Sequence, residues 1–576
     1  MAQGSARHNG LGRVGWRERL TIWRAMRGRA AGHPRSDPQP RHTGRVARGR
    51  QMAQGTFLLG GYVIEAPGSS IWALPVDEDA STVDLHGFDW LADLVAAGTP
   101  EAEACARDWT FDWLDRFGRG RGPGWSPALT GRRVRNMLDF SAAILGGAGP
   151  GDADRLFAAA GRQARHVARR WARVPIGMAR FDALGGAVIA ALTLEGLSDE
   201  LPALTASLGL EAARRIDAEA GLATRNPEHL LELFALLVRV RSDLIELGHE
   251  VPTPLDEAIR DAAALLRALR HADGGLARFH GGGRGAPGLL DRALALSGAR
   301  PRAAPALPMG FARLSRGRTT LIMDAAPPPE GPGSVDGHAS TLAFELTSGR
   351  RPVVVNCGAG RHFGAKWRRA GRATPSHSTL VLDGYSSARI ASADDTVSEA
   401  PADVRLERRE SDRASGLIAG HDGYVLSHGL THVRQVYLSH DGRGLQGEDV
   451  IATLDRHDEA IFDRALAAAG GEIPFSVRFH LHPNVFAETS EDGTAISLML
   501  KSGELWVFRH TGAAGLSVEA SVYLDMNETG PVPSRQIVLS SRAVEYATRV
   551  SWTLAKARQT PDAVRDDHDD GEPVLA

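Results

Sequence analysis

His338, Asn356 and His377 lie within one stretch, residues 334–384, SVDGHASTLAFELTSGRRPVVVNCGAGRHFGAKWRRAGRATPSHSTLVLDG. Imidazole nitrogen and amide oxygen are competent ligands for zinc, or through the oxygen for calcium. The three residues are therefore a candidate site for a divalent metal, zinc or calcium. The alternative is that they are rim side chains that hydrogen-bond at strand ends. Residues 341–346 and 352–356 are β-branched apolar runs joined by SGRR, which predicts two strands and a turn. Residues 380–382 predict a third strand, closed by Asp383-Gly384. His338 enters the first strand, Asn356 ends the second and His377 precedes the third. Three adjacent strands would bring the side chains, 18 and 21 residues apart, to one rim.

Other residues carry acid–base or anion-binding chemistry. His271 and His280 flank a Gly-rich bridge at 274–308, and an imidazole titrates close to neutrality, as a base must. Arg225 and Asn226 are suited to neutralising a carboxylate, Arg225 through a bidentate contact; Asn226-Pro227 also reads as a helix N-cap followed by proline at the first helical position. His480 and His482 alternate along a strand and point to one face, as a ligand pair or substrate contact would. Equally, Phe479 and Leu481 would face the core while the histidines line an exposed sheet. Arg434 is an anion-contact candidate whose alternative is a structural ion pair. Phe88, Trp90, Trp109, Phe111, Trp113 and Trp125 crowd one region. Sugar rings stack on aromatic faces, so Trp90 and Trp113 are candidate platforms, although core packing is the ordinary use of tryptophan.

These residues need elements to position them, and 576 residues are too many for one core. A hydrophobic share of 43% with 24% charged residues is that of a globular protein, and a net charge of −2 points neither to nucleic acid nor to bulk electrostatic capture of an acidic polysaccharide, so any anion binding must be local. Cys105 and Cys357 make no disulfide framework. No apolar run reaches membrane-spanning length, and twelve Arg in the first fifty residues accompany no apolar signal segment. Residues 1–52 read as a basic unstructured tail, with a helical piece at 16–29 basic enough to touch a membrane or nucleic acid, and 559–576 as an acidic tail. Within 53–300, after a hairpin at 55–65, apolar residues recur at helical spacing over 101–116, 131–145, 153–173, 181–197, 201–220, 227–247 and 255–270. That pattern fits an α/α toroid or an ordinary bundle. Within 305–558 the period becomes two, over 319–323, 404–407, 430–438, 474–481, 496–500, 505–508 and 536–539, as in an antiparallel β-sandwich.

The segments GHAST, NCG and SHST resemble the C-terminal domain of the heparinase II/III family of polysaccharide lyases. DLHGFDWL, DAEAGLATRNP, LRHADGGLARFHG, HDGY, THVRQVYLS and RFHLHP extend the resemblance from about residue 55 to 555. It implies an α+β chain with an N-terminal α/α toroid followed by a C-terminal β-sandwich, and a structural metal held by His338, Asn356 in place of the family's Asp, and His377. It also implies an acidic polysaccharide or oligosaccharide as partner, and the cell envelope or periplasm as location. The implied reaction is β-elimination at a uronic acid: the carboxylate is neutralised, a base removes the C5 proton and an acid assists the leaving oxygen. The family commonly draws these groups from a toroid Tyr, a toroid Asn or His, and a sandwich His. None of the six tyrosines, Tyr62, Tyr385, Tyr424, Tyr437, Tyr523 and Tyr546, falls in the run of helices. Arg225 and Asn226 stand in the expected Tyr neighbourhood, and Asp336 stands where some relatives carry a second His. The expectation is a lyase with an altered catalytic set drawn from Arg225, Asn226, His271 and His280, with substrate contacts from Trp90, Trp113, Arg434, His480 and His482. The alternative is a non-catalytic glycan-binding or envelope protein that keeps the scaffold.

Overall fold

A computed structural model describes residues 16–27, 34–35, 44–76, 78–528 and 530–557. Amphipathic helices make up the first half. Pro227–Glu246 shows why they form where they do: Asn226 caps it, proline occupies the first turn, and Leu230, Leu231, Leu233, Phe234, Leu237 and Val238 are buried. Thr99 and Ser126 cap Pro100–Arg116 and Pro127–Asp139 in the same way, each followed by proline. Pro127–Asp139 crosses Met178–Thr193 at glycine contacts so close that a Cβ on Gly186 would lie 2.2 Å from the Gly131 carbonyl oxygen. This is the helical α/α toroid of the expected architecture.

The second half is an antiparallel sandwich. One sheet runs Val404–Glu410, Ala414–Tyr424, Leu430–Ser439, Gly444–Ala452, Ala547–Lys556, Leu505–Thr511, Ala495–Leu500 and Val485–Thr489. The other runs Gly515–Tyr523, Val532–Ala543, Ile473–Leu481, Arg351–Val355, Phe344–Ser348, Thr319–Asp324 and Phe311–Arg316. Phe344, Phe479, Phe508, Trp506 and Trp552 fill the space between the sheets. The second sheet packs its other face against the helices, so Thr319–Asp324 and Phe344–Ser348 are buried at every position. Phe311, Ile322 and Ala343 of the sandwich belong to the same apolar cluster as the helical core, which makes the seam between the domains a packed interior.

Three expectations change. Leu380–Leu382 pairs with Ile473–Leu481, not with the two strands before it in sequence. The helical piece expected at 16–29 is present as Trp16–Met26, but the stretch 1–52, read as an unstructured tail, packs it and a second helix, Val46–Ala53, which runs on past its end, because Ile22, Ala25 and Met52 have apolar surface to bury against the helical domain. The rest of that stretch (1–15, 28–33 and 36–43) and the acidic tail lie outside the described residues. The Gly-rich bridge includes a helix, Leu289–Ser297. No helix among the described residues is long and apolar enough to cross a membrane.

Candidate functional site

The candidate catalytic and metal-ligating residues converge on the seam, and their hub is one the sequence did not single out. Asp324 ends the strand Thr319–Asp324 with its side chain fully buried. Ser340 Oγ donates to Oδ2 at 2.6 Å, Arg225 Nη2 to Oδ1 at 2.5 Å, and His280 Nε2 lies 3.3 Å from Oδ2. Burial alone would raise the carboxyl pKa, but Arg225, His280 and Ser340 outweigh it and hold the group well below the usual carboxylate range. Arg225, at a left-handed φ of 48°, also donates from Nε to Met309 O at 2.9 Å, from Nη1 to Ala326 O at 3.2 Å and to Pro327 O, and from Nη2 to Gly310 O at 3.1 Å. Its five N–H groups are thus matched by five acceptors of the sandwich. Placed this way, Arg225 is a strut between the domains with no donor left for a substrate carboxylate.

Asn226 Oδ1 accepts from the backbone N–H groups of Glu228 at 2.9 Å and His229 at 3.2 Å, so the side chain is a helix cap. Replacing Asn226 with Ala is expected to cost about 1 kcal/mol, and replacing it with Asp much less, in urea denaturation.

His280 Nδ1 accepts from the His338 backbone N–H at 3.2 Å, and His338 Nδ1 lies 3.0 Å from His377 Nε2. His377 Nδ1 donates to Ala373 O at 2.9 Å, which makes its Nε2 the acceptor and His338 Nδ1 the donor. Burial is the largest influence on all three imidazoles and lowers each: His377 to about 3, His338 well below its ordinary value, and His280 in the same direction. His338 and His377 do meet. Asn356 does not complete a ligand set: its Oδ1 accepts from Ser378 N at 3.0 Å and its Nδ2 donates to Glu345 Oε1 at 3.4 Å. The two imidazoles bond to each other, the amide oxygen is engaged by backbone, and Asp324 is engaged by Arg225. This donor set does not fit a divalent metal, which needs lone pairs free to converge and negative charge to match. Among the described residues no group of three or more His, Cys, Asp or Glu is arranged to hold one. Dialysis against EDTA is expected to leave the melting temperature unchanged. Stoichiometric zinc or calcium in the purified chain, lost together with stability on dialysis, would contradict this.

His271 is buried between Glu345 Oε2, 3.3 Å from its Nε2, and Thr347 Oγ1, 3.4 Å from its Nδ1. Arg278 donates its backbone N–H to Glu345 at 3.1 Å and its guanidinium to Asn356 O at 3.3 Å, Cys357 O at 3.3 Å and Leu524 O at 2.6 Å. Gly358, with φ at 96°, permits that approach, since a Cβ there would fall 1.9 Å from Arg278 Nη2. Beside them lies a small pocket lined by His271, Asp273, Arg278, Arg284, Glu345 and Tyr523.

The expected substrate contacts are placed elsewhere. Trp90 and Trp113 are buried in the helical core: Trp90 Nε1 donates to Leu85 O at 2.9 Å, and Trp113 Nε1 to His86 Nδ1 at 2.9 Å beneath the Arg133 guanidinium. Their aromatic area serves packing. Arg434 is buried inside the sandwich, where Asp449 accepts from its Nε at 2.8 Å and its Nη2 at 3.2 Å, while Leu342 O and Ser378 O accept from Nη1. It is the structural ion pair. Phe479 and Leu481 face the core as the alternation predicted, but the opposite face is not an exposed sheet. His480 is buried there, its Nδ1 2.7 Å from Ser521 Oγ and its Nε2 donating to Pro375 O at 2.9 Å, and His482 packs on the Tyr523 ring.

Glu228, in the first turn after Asn226, went unnoticed. Its Oε2 accepts from Gly283 N at 2.7 Å, and burial, then Glu232, raises its pKa to about 7. An acidic residue beside a helix cap is unremarkable in sequence; only the packing of the seam shifts its titration. The folded value lies above the ordinary 4.5, so the folded chain holds more protons than the unfolded one between those values. Stability contributed by this group is therefore present below about pH 4.5 and lost as pH rises through about 7. Glu228→Gln is expected to flatten that slope in urea denaturation followed across the window.

The heparinase II/III-like C-terminal family model matches residues 298–553. "FtsZ-localized protein C" of Caulobacter vibrioides is 30% identical over 93% of this chain and 96% of its own length. A solved heparinase III structure superposes with a TM-score of 0.64 at 12% identity, covering 94% of this chain and 89% of the other. A heparan sulfate lyase mutant from Pedobacter heparinus gives 0.55 at 14% identity, covering 94% and 88%. The helical toroid, the sandwich sealed against it and these likenesses agree: the chain belongs to the heparinase II/III-like family.

Proposed function

We propose that this chain is a bacterial division-associated binding protein that uses the heparinase scaffold without its elimination chemistry. The observation that carries this is at the seam. Arg225, Asn226 and His271 are held by structural partners, His280 is held against Asp324, and the helices supply no tyrosine. Such a seam binds its own two domains together and offers little to a polymer. The full-length relative is named for its localisation with FtsZ, whereas the lyase structures are alike only at the level of fold. The partner this favours is FtsZ polymer or a component assembled on it. The test is co-sedimentation of the purified chain with FtsZ filaments formed in GTP. The chain is expected in the pellet with filaments and in the supernatant without them; a chain that stays in the supernatant in both would overturn the reading.

Glu228 favours a second reading, in which uronate elimination survives on an acidic polysaccharide in the envelope or periplasm. A carboxyl with a pKa of about 7 is poised to exchange a proton near neutral pH and would replace the missing tyrosine as base. It would take the C5 proton as the C4–O bond breaks, the C–H pair forming the C4–C5 double bond of an unsaturated uronate, and the departing oxygen would take up a proton to leave as a hydroxyl.

A further inference from the structure

Of the seventeen large hydrophobic side chains exposed among the described residues, five gather at one end of the sandwich: Tyr385, Leu426, Leu454, Val544 and Tyr546. Leu426, 87% exposed, sits on the short helix Val425–His428, and the ring of Tyr385 packs 4.5 Å from that of His428. The chain then enters Leu430–Ser439, where Thr431 pairs with Ala452, so that Leu454, 71% exposed, comes alongside the helix. Thr453 N donates to Tyr546 O at 2.9 Å, and the Tyr546 ring packs on Phe462 of helix Arg456–Ala468. Exposed carboxylates surround the patch: Asp383, Asp455, Asp463 and Glu545, against Arg456 and Arg464 on the same helix. Isolated exposed apolar side chains are ordinary, but a contiguous group inside a polar rim marks a surface that something covers.

The same chain carries a surface of opposite character. Helix Trp16–Met26 buries Ile22 and Ala25 against the helical domain and leaves Leu20 and Trp23 41% and 50% exposed. Arg19, Arg24 and Arg27 are exposed beside them, and the Arg27 guanidinium stacks 3.9 Å from the Trp23 ring.

We propose that the exposed face of helix Trp16–Met26 of one copy docks on the Leu426–Leu454–Tyr546 patch of a second copy. Leu20 and Trp23 meet the apolar centre while the arginines meet Asp455, Asp463 and Glu545. The two surfaces differ, so the contact is head-to-tail: in a pair one copy keeps its patch free and the other its helix, and association continues instead of closing a two-fold dimer. Its ionic part weakens with salt. The proposal stands independently of the FtsZ reading, because self-association is measured on the chain alone.

The test is sedimentation velocity of the full chain over a concentration series at low and high salt. The average mass is expected to rise above the monomer with concentration, more strongly at low salt. Trp23→Asp and Leu426→Asp change exposed side chains, so circular dichroism should show both folded, and each alone should be monomeric. An equal mixture of the two should form a dimer and stop there, since one supplies only an intact patch and the other only an intact helix. A wild-type chain that stays monomeric at every soluble concentration would overturn the proposal, as would a mixture that remains monomeric. Wild-type monomers that instead bind anionic phosphatidylglycerol vesicles, with binding lost in Trp23→Asp, would assign the helix to a membrane surface and overturn it equally.

Discussion

Replacing Asp324 with Ala is expected to lower the stability of the folded chain by about 3–5 kcal/mol, the cost of stranding a buried cation. Arg225 would keep its carbonyl acceptors at Met309, Gly310, Ala326 and Pro327 but lose the carboxylate that meets it, Ser340 would lose its acceptor, and His280 would lose the negative charge beside its Nε2. Asp324→Asn, which keeps the shape and one acceptor oxygen, should fall between wild type and Ala. A double-mutant cycle with Arg225→Met should show strong coupling, because each single change leaves the other partner uncompensated. The pH dependence has a definite sign. The folded pKa of Asp324 is depressed, so its contribution is complete above the ordinary 3.8 and is lost as pH falls toward the folded value. Acid denaturation of Asp324→Ala should accordingly be shallower in that range. Urea titrations at several pH values check all of this.

Arg434→Ala is expected to cost a similar amount, about 3–5 kcal/mol, from within the sandwich. The change leaves Asp449 buried with only His432 and Trp552 as donors, at 2.8 and 3.0 Å, and leaves the carbonyls of Leu342 and Ser378 without the guanidinium. The same variant separates the two roles the sequence allowed. A structural pair lowers the unfolding midpoint; a substrate contact would leave stability unchanged and reduce only ligand binding.

Local signals were legible in the sequence, and distant partners were not. Asn226-Pro227 with leucines at helical spacing marks the start and the buried face of Pro227–Glu246, because capping and periodicity are properties of neighbouring residues. The meeting of His338 and His377 was readable for a similar reason, as each stands at the mouth of a short apolar strand. The pairing of Leu380–Leu382 with Ile473–Leu481 was not, since the partner lies far along the chain. Trp113 and Arg434 were misread because a tryptophan or arginine looks alike in a cleft and in a core; what decides is His86 and Asp449, brought in by the fold. The alternation around His480 was read correctly, but Ser521 and Pro375, which cover that face, leave no mark on the strand itself. Asp324 looked like the polar end of an apolar run until Arg225 arrived from the other domain.

The central claim is that the seam residues hold the two domains together instead of performing elimination. The measurement that tests it most directly is ultraviolet detection of unsaturated uronate when the purified chain is incubated with heparin, heparan sulfate, chondroitin, hyaluronan, alginate and bacterial uronate-containing exopolysaccharides. No absorbance should develop on any of them. Absorbance that grows with time on one polymer, and disappears in Glu228→Gln or His338→Ala, would contradict the claim and establish a lyase with a carboxylate or histidine in place of the family's tyrosine.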